Sequence, residues 1–276
     1  MHLRLSRAAI ASTSLIVFSS IAASQTPLGP ERKDIGDLRG DIWAAVTAPA
    51  RIARGDAVPL ATVAGVVALT TIRDSAIYAW MMTHPNTLVM EAIAPMRDNW
   101  KFPLYELGSG QYLLPLSAVA YTRGRLVHDA DWRDAGMGCA SSHLSSALLR
   151  DVIYLSVSRV RPHDTAKSDS VWFPGGRVWS HHSFLSGHIA NSMACASFLA
   201  HRYSMGWGAA PMYAYVTLIG LGRLADGWHW PSDTMAGAAM GFAIGKFIAD
   251  RQEARRAART TTAAATPVKL GWSFTF

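Results

Sequence analysis

The stretch GRLADGWHWPSD, residues 222–233, decides how this chain is read. Arg223 closes an apolar run that begins near residue 209. Asp226-Gly227 supplies a turn, and Pro231-Ser232-Asp233 has the residue order of a helix start. A second apolar run follows from residue 233 to 249. The stretch therefore connects two helices, and it carries His229 four residues before Asp233. A carboxylate at that spacing can hold one imidazole nitrogen and leave the other unprotonated and aimed outward, as a nucleophile requires. The same residues also serve as a helix cap and a loop histidine. Taken alone, the stretch fixes the local fold and leaves the chemistry open.

Outward from it, apolar segments and polar breaks alternate. Residues 57–72, 110–121, 139–159 and 186–203 join the two flanking runs, giving six segments of 12 to 21 residues. Strand-like alternation is nearly absent from them. The expected fold is all-α, a bundle of about six core helices with the active site at helix termini at one end. Arg73 and Asp74 are expected to stop the first segment. Most segments fall short of the roughly 20 apolar residues that cross a bilayer. Gly237, Gly241 and Gly245 fall on one helical face, where a neighbouring helix can approach closely. Residues 162–182 break the pattern with polar sequence and a Pro-Gly-Gly turn at 174–176.

Two further stretches put reactive residues at helix ends. In SFLSGH, residues 183–188, Ser183 or Ser186 caps a helix that runs on through His188. Backbone N–H groups at Ser186, Gly187 and His188 would then point at an anion, aided by the helix dipole. Gly187 lets a ligand approach the backbone, and His188 is a second imidazole, fit to donate a proton. In SRVRP, residues 158–162, Arg161 and Arg159 precede a proline that ends a helix, and a guanidinium grips two phosphate oxygens at once. Each stretch also has a plain reading, an ordinary N-cap with a surface histidine and arginines facing water.

The three in this order, R-P, then S-G-H, then R-x5-H-x3-D, resemble the phosphatidic acid phosphatase type 2 and vanadium haloperoxidase superfamily over roughly residues 60–250. The resemblance implies roles. His229 attacks phosphorus, Asp233 orients it, and His188 protonates the leaving oxygen. Arg161, Arg223, Ser186 and the Gly187 backbone hold the phosphoryl oxygens, with no metal and no cofactor. The implied reaction is hydrolysis of a phosphomonoester or diphosphate through a phospho-histidine. A lipid phosphate leads as substrate, on the strength of the apolar helices, basic tail and tryptophans. A soluble non-specific acid phosphatase of the same superfamily is the alternative; a vanadate-dependent haloperoxidase and a non-catalytic phosphate-binding protein are the rivals. The chain departs from the family pattern in three places. Tyr154 stands where a lysine is usual, seven residues before Arg161, with Arg150 or Arg159 as possible substitutes. Leu185 replaces a proline, and Gly222 a serine.

Composition frames this reading. The 276 residues are 50% hydrophobic and 16% charged, with a net charge of +7, and the mean hydropathy is +0.14. Arg4 and Arg7, the apolar run 8–22 and the small residues Ala22-Ala23-Ser24 have the order of a secretory signal. Residues 1–24 are therefore expected to be cleaved, and the product to be periplasmic or extracytoplasmic, either free or held at or in a membrane. Residues 25–56 read as a polar extension, 57–250 as the catalytic domain, and 251–276 as a basic linker and tail ending in the strand-like LGWSFTF. Arg251, Arg255, Arg256 and Arg259 read as a solvated helix end, with anionic lipid as the other partner such a cluster fits. Cys139 and Cys195 are either bridged after export or two buried thiols. His181 and His182 lack a carboxylate or cysteine to complete a metal site with His188. Trp172, Trp179, Trp228 and Trp230 either wall a site for an apolar chain or fill the rim of the core. No nucleic acid or specific protein partner is expected.

Overall fold

Each apolar run of the sequence becomes a helix, and most outrun their expected limits. The computed structural model describes residues 31–51, 57–97, 106, 108–164, 171–172 and 181–265; the signal-like segment, Trp179 and LGWSFTF lie outside the described residues. Within them are α1 (Glu31–Thr47), α2 (Ala57–Thr83), α3 (Leu88–Arg97), α4 (Gly110–Leu126), α5 (Ala130–Ser156), α6 (Gly187–Arg202), α7 (Ala210–Ala225) and α8 (Pro231–Ala265). The fold is all-α. The two-residue strands Ser158–Arg159 and Val171–Trp172 pair antiparallel, and Arg159 bridges to His182.

Helix directions put the three motifs at one end. A Cβ on Gly237 would lie 2.6 Å from the Ser186 carbonyl oxygen, while Cβ atoms on Gly241 and Gly245 would strike those of Ala190 and Ala194. The register rises together on both helices, so α6 and α8 run parallel, backbone against backbone, and start at the same end. Their positive dipole ends therefore coincide. Cys139 on α5 is disulfide-bonded to Cys195 on α6, whereas Arg150 lies against Gly187. That opposite register makes α5 antiparallel to α6 and brings its C-terminal end to the same place. The core between them includes Cys139, Ala194, Phe198, Ile244 and Ile248. The disulfide resolves the cysteine question in favour of a bridge.

Three expectations about the chain's organisation are corrected. Arg73-Asp74 does not end α2, which continues to Thr83 with Asp74 fully buried. Residues 25–56 are not simply a polar extension, because α1 lies within them and packs on the body; its Ala45 joins the core. Residues 251–265 are not a linker, because α8 runs unbroken through them. Their arginines are paired with acids rather than free. Arg251 and Arg255 donate to Asp41 (2.9 and 2.5 Å), Arg259 to Asp37 (2.8 Å) and Arg256 to Asp131 (3.1 Å). Asp41 is fully buried, and two guanidiniums satisfy its charge. This ladder clamps α1 to the end of α8.

Candidate active site

At the common end of α5, α6, α7 and α8 lies a cavity of about 580 Å³. His229, His188, Arg161, Arg223, Gly187, Tyr154 and Arg150 all line it. Residues from all three motifs, spread over some 70 positions of chain, thus meet around one space.

His229 sits in the turn between α7 and α8. Gly227 makes that turn with φ +69°, and a side chain there would press on the Tyr78 hydroxyl. The imidazole Nδ1 lies 2.7 Å from the Ser183 carbonyl oxygen. A carbonyl only accepts, so Nδ1 carries the proton and Nε2 is left with its lone pair. Burial, reinforced by the Arg223 and Arg161 charges, holds the His229 pKa well below the ordinary imidazole value. The ring is therefore neutral at physiological pH.

Asp233 does not hold that ring directly, contrary to the spacing argument. Its carboxylate accepts from Ser183 Oγ (2.5 Å), the Trp230 amide (2.8 Å) and Arg159 Nη1 (2.5 Å). It therefore acts on His229 through Ser183, whose hydroxyl it binds and whose carbonyl holds the imidazole. A carboxylate capping its own helix start is tied to that helix's first turn, which explains why it falls short of the ring.

Arg159 is corrected as well. It is buried away from the cavity, between Asp233 and Asp74 Oδ2 (2.6 Å), and also donates to Ser232 Oγ (2.8 Å). Asp74 in turn accepts from the amide and hydroxyl of Ser232 (2.9 and 2.5 Å). The network joins α2, the strand segment and the start of α8, and every member is almost wholly buried. Sequence reasoning missed Asp74; the available signal was one acid inside an otherwise apolar helix, which must find a partner if buried.

The phosphate-facing groups sort as follows. Ser186 is the N-cap of α6, and its buried hydroxyl makes no hydrogen bond within the described residues. Its amide, expected to face an anion, instead donates to the Asp233 carbonyl (3.1 Å). The next amides, of Gly187 and His188, stand in the first turn, where no intrahelical acceptor exists. Arg161 and Arg223 lie over the Trp228 ring, 4.6 and 5.6 Å from its centroid. Trp228 is thus a platform holding two cations beside the cavity. Trp230, by contrast, is fully buried, and its Nε1 donates to the Val160 carbonyl (2.8 Å). Trp228 and Trp230 therefore do not share one role.

Tyr154 does not replace the missing lysine with a donor of its own. Its hydroxyl donates to the Leu185 carbonyl (2.9 Å), and its ring stacks on His182 at 4.7 Å. Burial pushes its pKa up to about 12, so it remains a neutral brace for the 183–187 loop. Arg150 lies nearby, lining the cavity. Its Cδ and Nη1 are 2.8 and 2.9 Å from where a Cβ on Gly187 would be, so a side chain there would push Arg150 away from the start of α6. Arg150 also pairs with the half-exposed Asp151 (2.7 Å). His188, on the other side, lies against Arg223 Nη2, with Nδ1 at 2.6 Å and Nε2 at 2.9 Å.

A family model described as the PAP2 superfamily matches residues 135–257. A lipid A 1-phosphatase of Porphyromonas gingivalis is 28% identical over 139 residues, 49% of this chain and 28% of that protein. The chain thus spans well under two thirds of that relative. A decaprenylphosphoryl-5-phosphoribose phosphatase of Mycobacterium tuberculosis is 31% identical over 145 residues, 51% of this chain and 72% of that protein. Among solved structures, a transmembrane PAP2-type phosphatidylglycerolphosphate phosphatase from Bacillus subtilis aligns with TM-score 0.38 and 19% identity, over 67% of this chain and 96% of that one.

Proposed function

The chain belongs to the PAP2 superfamily, and from that premise we propose that it is a metal-independent phosphatase that hydrolyses a phosphomonoester or diphosphate through a phospho-histidine on His229. The observation that carries the reading is the tautomer of His229, whose proton lies on Nδ1 against Ser183 O while the ring is neutral and lines a cavity flanked by Arg161 and Arg223. In the first step the Nε2 lone pair forms a bond to phosphorus as the ester P–O bond breaks. His188 gives its proton to the departing alkoxide. In the second step water attacks the phospho-histidine, His188 takes the water proton, and the P–N bond breaks to return neutral His229 with inorganic phosphate. Arg161, Arg223, the Ser186 hydroxyl and the first amides of α6 would hold the equatorial oxygens. Catalysis then comes chiefly from positioning and from charge fixed in advance.

A lipid phosphate is the substrate class we infer. Leu155 lines the cavity and is itself exposed, and apolar side chains stand exposed along α2 and α4 as well, including Leu69, Ile72 and Val119. Such a surface fits an acyl or prenyl environment better than water. The two named relatives act, by their names, on lipid A and on a decaprenylphosphoryl sugar phosphate, which points the same way. The experiment is phosphate release from a panel of lipid and soluble phosphates, with and without EDTA, followed by acid-quench trapping of labelled enzyme. Turnover of lipid phosphates unaffected by chelation, with label on wild type and none on His229→Ala, is the expected result. Label retained by His229→Ala would sink the assignment, and loss on chelation restored by a divalent ion would sink the mechanism.

A further inference from the structure

Among the ionisable groups that line the cavity and have no part in the scheme above, Glu106 is the acid that faces His188. Glu106, just ahead of α4, points Oε2 at His188 Nε2 from 3.4 Å and lines the same cavity. Its position is built in. The Ser109 amide donates to the Glu106 carbonyl (2.7 Å), closing a tight turn. Within that turn Gly108 is pressed so closely on α6 that a Cβ would strike Ser192 Oγ and come within 3.0 Å of the His188 carbonyl oxygen. The turn carrying Glu106 is therefore seated on the backbone of the residue whose side chain it addresses.

We infer that Glu106 is the positioning residue of the general acid, holding the Nε2 proton of His188 so that Nδ1 faces the leaving oxygen. This rests on the phosphatase reading above. In the unliganded enzyme Arg223 Nη2 stands 2.6 Å from Nδ1 and 2.9 Å from Nε2, so it faces both ring nitrogens, while the Glu106 carboxylate, which only accepts, faces Nε2. When Arg223 turns to a bound phosphate, Nε2 donates its hydrogen to Glu106, and Nδ1 takes up a proton from solvent water and delivers it to the alkoxide. Glu106 then faces an imidazolium and stabilises it, as a buried acid does for an imidazole base in hydrolytic triads.

The surroundings make such a partner necessary. Burial pulls the His188 pKa below the ordinary imidazole value, and the charges of Arg223 on α7 and Arg150 on α5 pull the same way; Glu106 opposes them. His229, ahead of α8, also faces it and is neutral. The hydrogen bond to His188 in turn lowers the Glu106 pKa, so the carboxylate is ionised at neutral pH.

The test compares Glu106→Gln and Glu106→Asp with wild type on two substrates, in the full chain. One is an alkyl phosphate, whose alkoxide must be protonated to leave; the other is an aryl phosphate, whose phenolate leaves unaided. Glu106→Gln should lose about tenfold or more in kcat on the alkyl substrate beyond its loss on the aryl one. The alkaline limb of its alkyl kcat profile should move to lower pH, since a His188 without its carboxylate gives up its proton earlier. Glu106→Asp should recover part of both effects. Equal losses on the two substrates with an unmoved profile would mean that Glu106 only shapes the loop, and a change confined to KM would make it a substrate contact; either overturns the inference. Wild type that hydrolyses neither substrate nor any lipid phosphate of the panel overturns the phosphatase reading itself, a result separable from the others.

Discussion

At the scale of single residues, the site shows how far a spacing rule reaches. R-x5-H-x3-D puts Arg223, His229 and Asp233 around the turn between α7 and α8, yet the contact it implies, carboxylate to imidazole, runs through Ser183. The missing lysine is a second case. A lysine at position 154 would be expected to strengthen oxyanion binding if the tyrosine merely left a gap, but the Tyr154 hydroxyl braces Leu185 while Arg150 lies on Gly187. Arg150→Ala should therefore weaken inhibition by orthovanadate about tenfold, as loss of one partly exposed charge-assisted contact predicts, and Tyr154→Lys should not tighten it. Tighter inhibition in Tyr154→Lys, measured at equal ionic strength, would return the clamp to position 154. The neutral His229 has a thermodynamic consequence too. Its folded pKa lies below the unfolded value of about 6.5. The unfolded chain therefore takes up a proton first, and stability falls as pH drops below that value. His143, which burial lowers to about 4, adds to the same loss. His229→Gln should show a smaller fall in Tm between pH 7 and pH 5 than wild type; an identical fall would mean that His229 is not held neutral.

At the scale of elements, what the sequence showed and what it hid divide along the range of the interactions. Six helices were visible because apolar periodicity is local, and the glycine face of α8 was visible because spacing alone puts Gly237, Gly241 and Gly245 in line. The ends of α2 and α8 were not. Asp74 looks like a helix stop until Arg159 and Ser232, far along the chain, are brought to it. Arg251 to Arg259 look solvated until α1 presents Asp37 and Asp41. Glu106 belongs to no motif and gains meaning only from where the Gly108 turn seats. The Asp74–Arg159–Asp233 chain should be strongly destabilising to break, since removing one member leaves a buried charge unmatched. Asp74→Ala should cost about 3–5 kcal/mol, read as a lowered unfolding midpoint, and should also impair turnover because Ser232 and Asp233 open α8 behind His229. Less than about 1 kcal/mol lost would show that water or another donor compensates. The Cys139–Cys195 bridge ties α5 to α6 across 56 residues, and reduction should remove about 2–4 kcal/mol.

For the whole molecule the question is what surrounds it, and two surfaces give different answers to the same measurement. Val58, Leu69 and Ile72 on α2, Val119 and Leu126 on α4 and Leu155 on α5 all stand more than half exposed. α2, at 27 residues, is long and apolar enough to cross a membrane. An attachment made by these helices is apolar. The other route to a membrane, electrostatic attraction of the basic C-terminal region to anionic headgroups, contributes about 1 kcal/mol per free cation. Arg251, Arg255, Arg256 and Arg259 are not free, because each is paired to an acid of α1 or α5. The apolar route should therefore dominate. Membranes containing the protein, washed in 1 M salt, where screening acts within about 3 Å, should retain it, and so should membranes extracted with alkaline carbonate; detergent should release it. Reversing the acids instead, as Asp37→Lys with Asp41→Lys, should leave retention unchanged while lowering stability, because the pairs lost are internal to the α1–α8 clamp. Release by salt alone would place the binding on the arginines after all, and would require the clamp to open at the membrane surface.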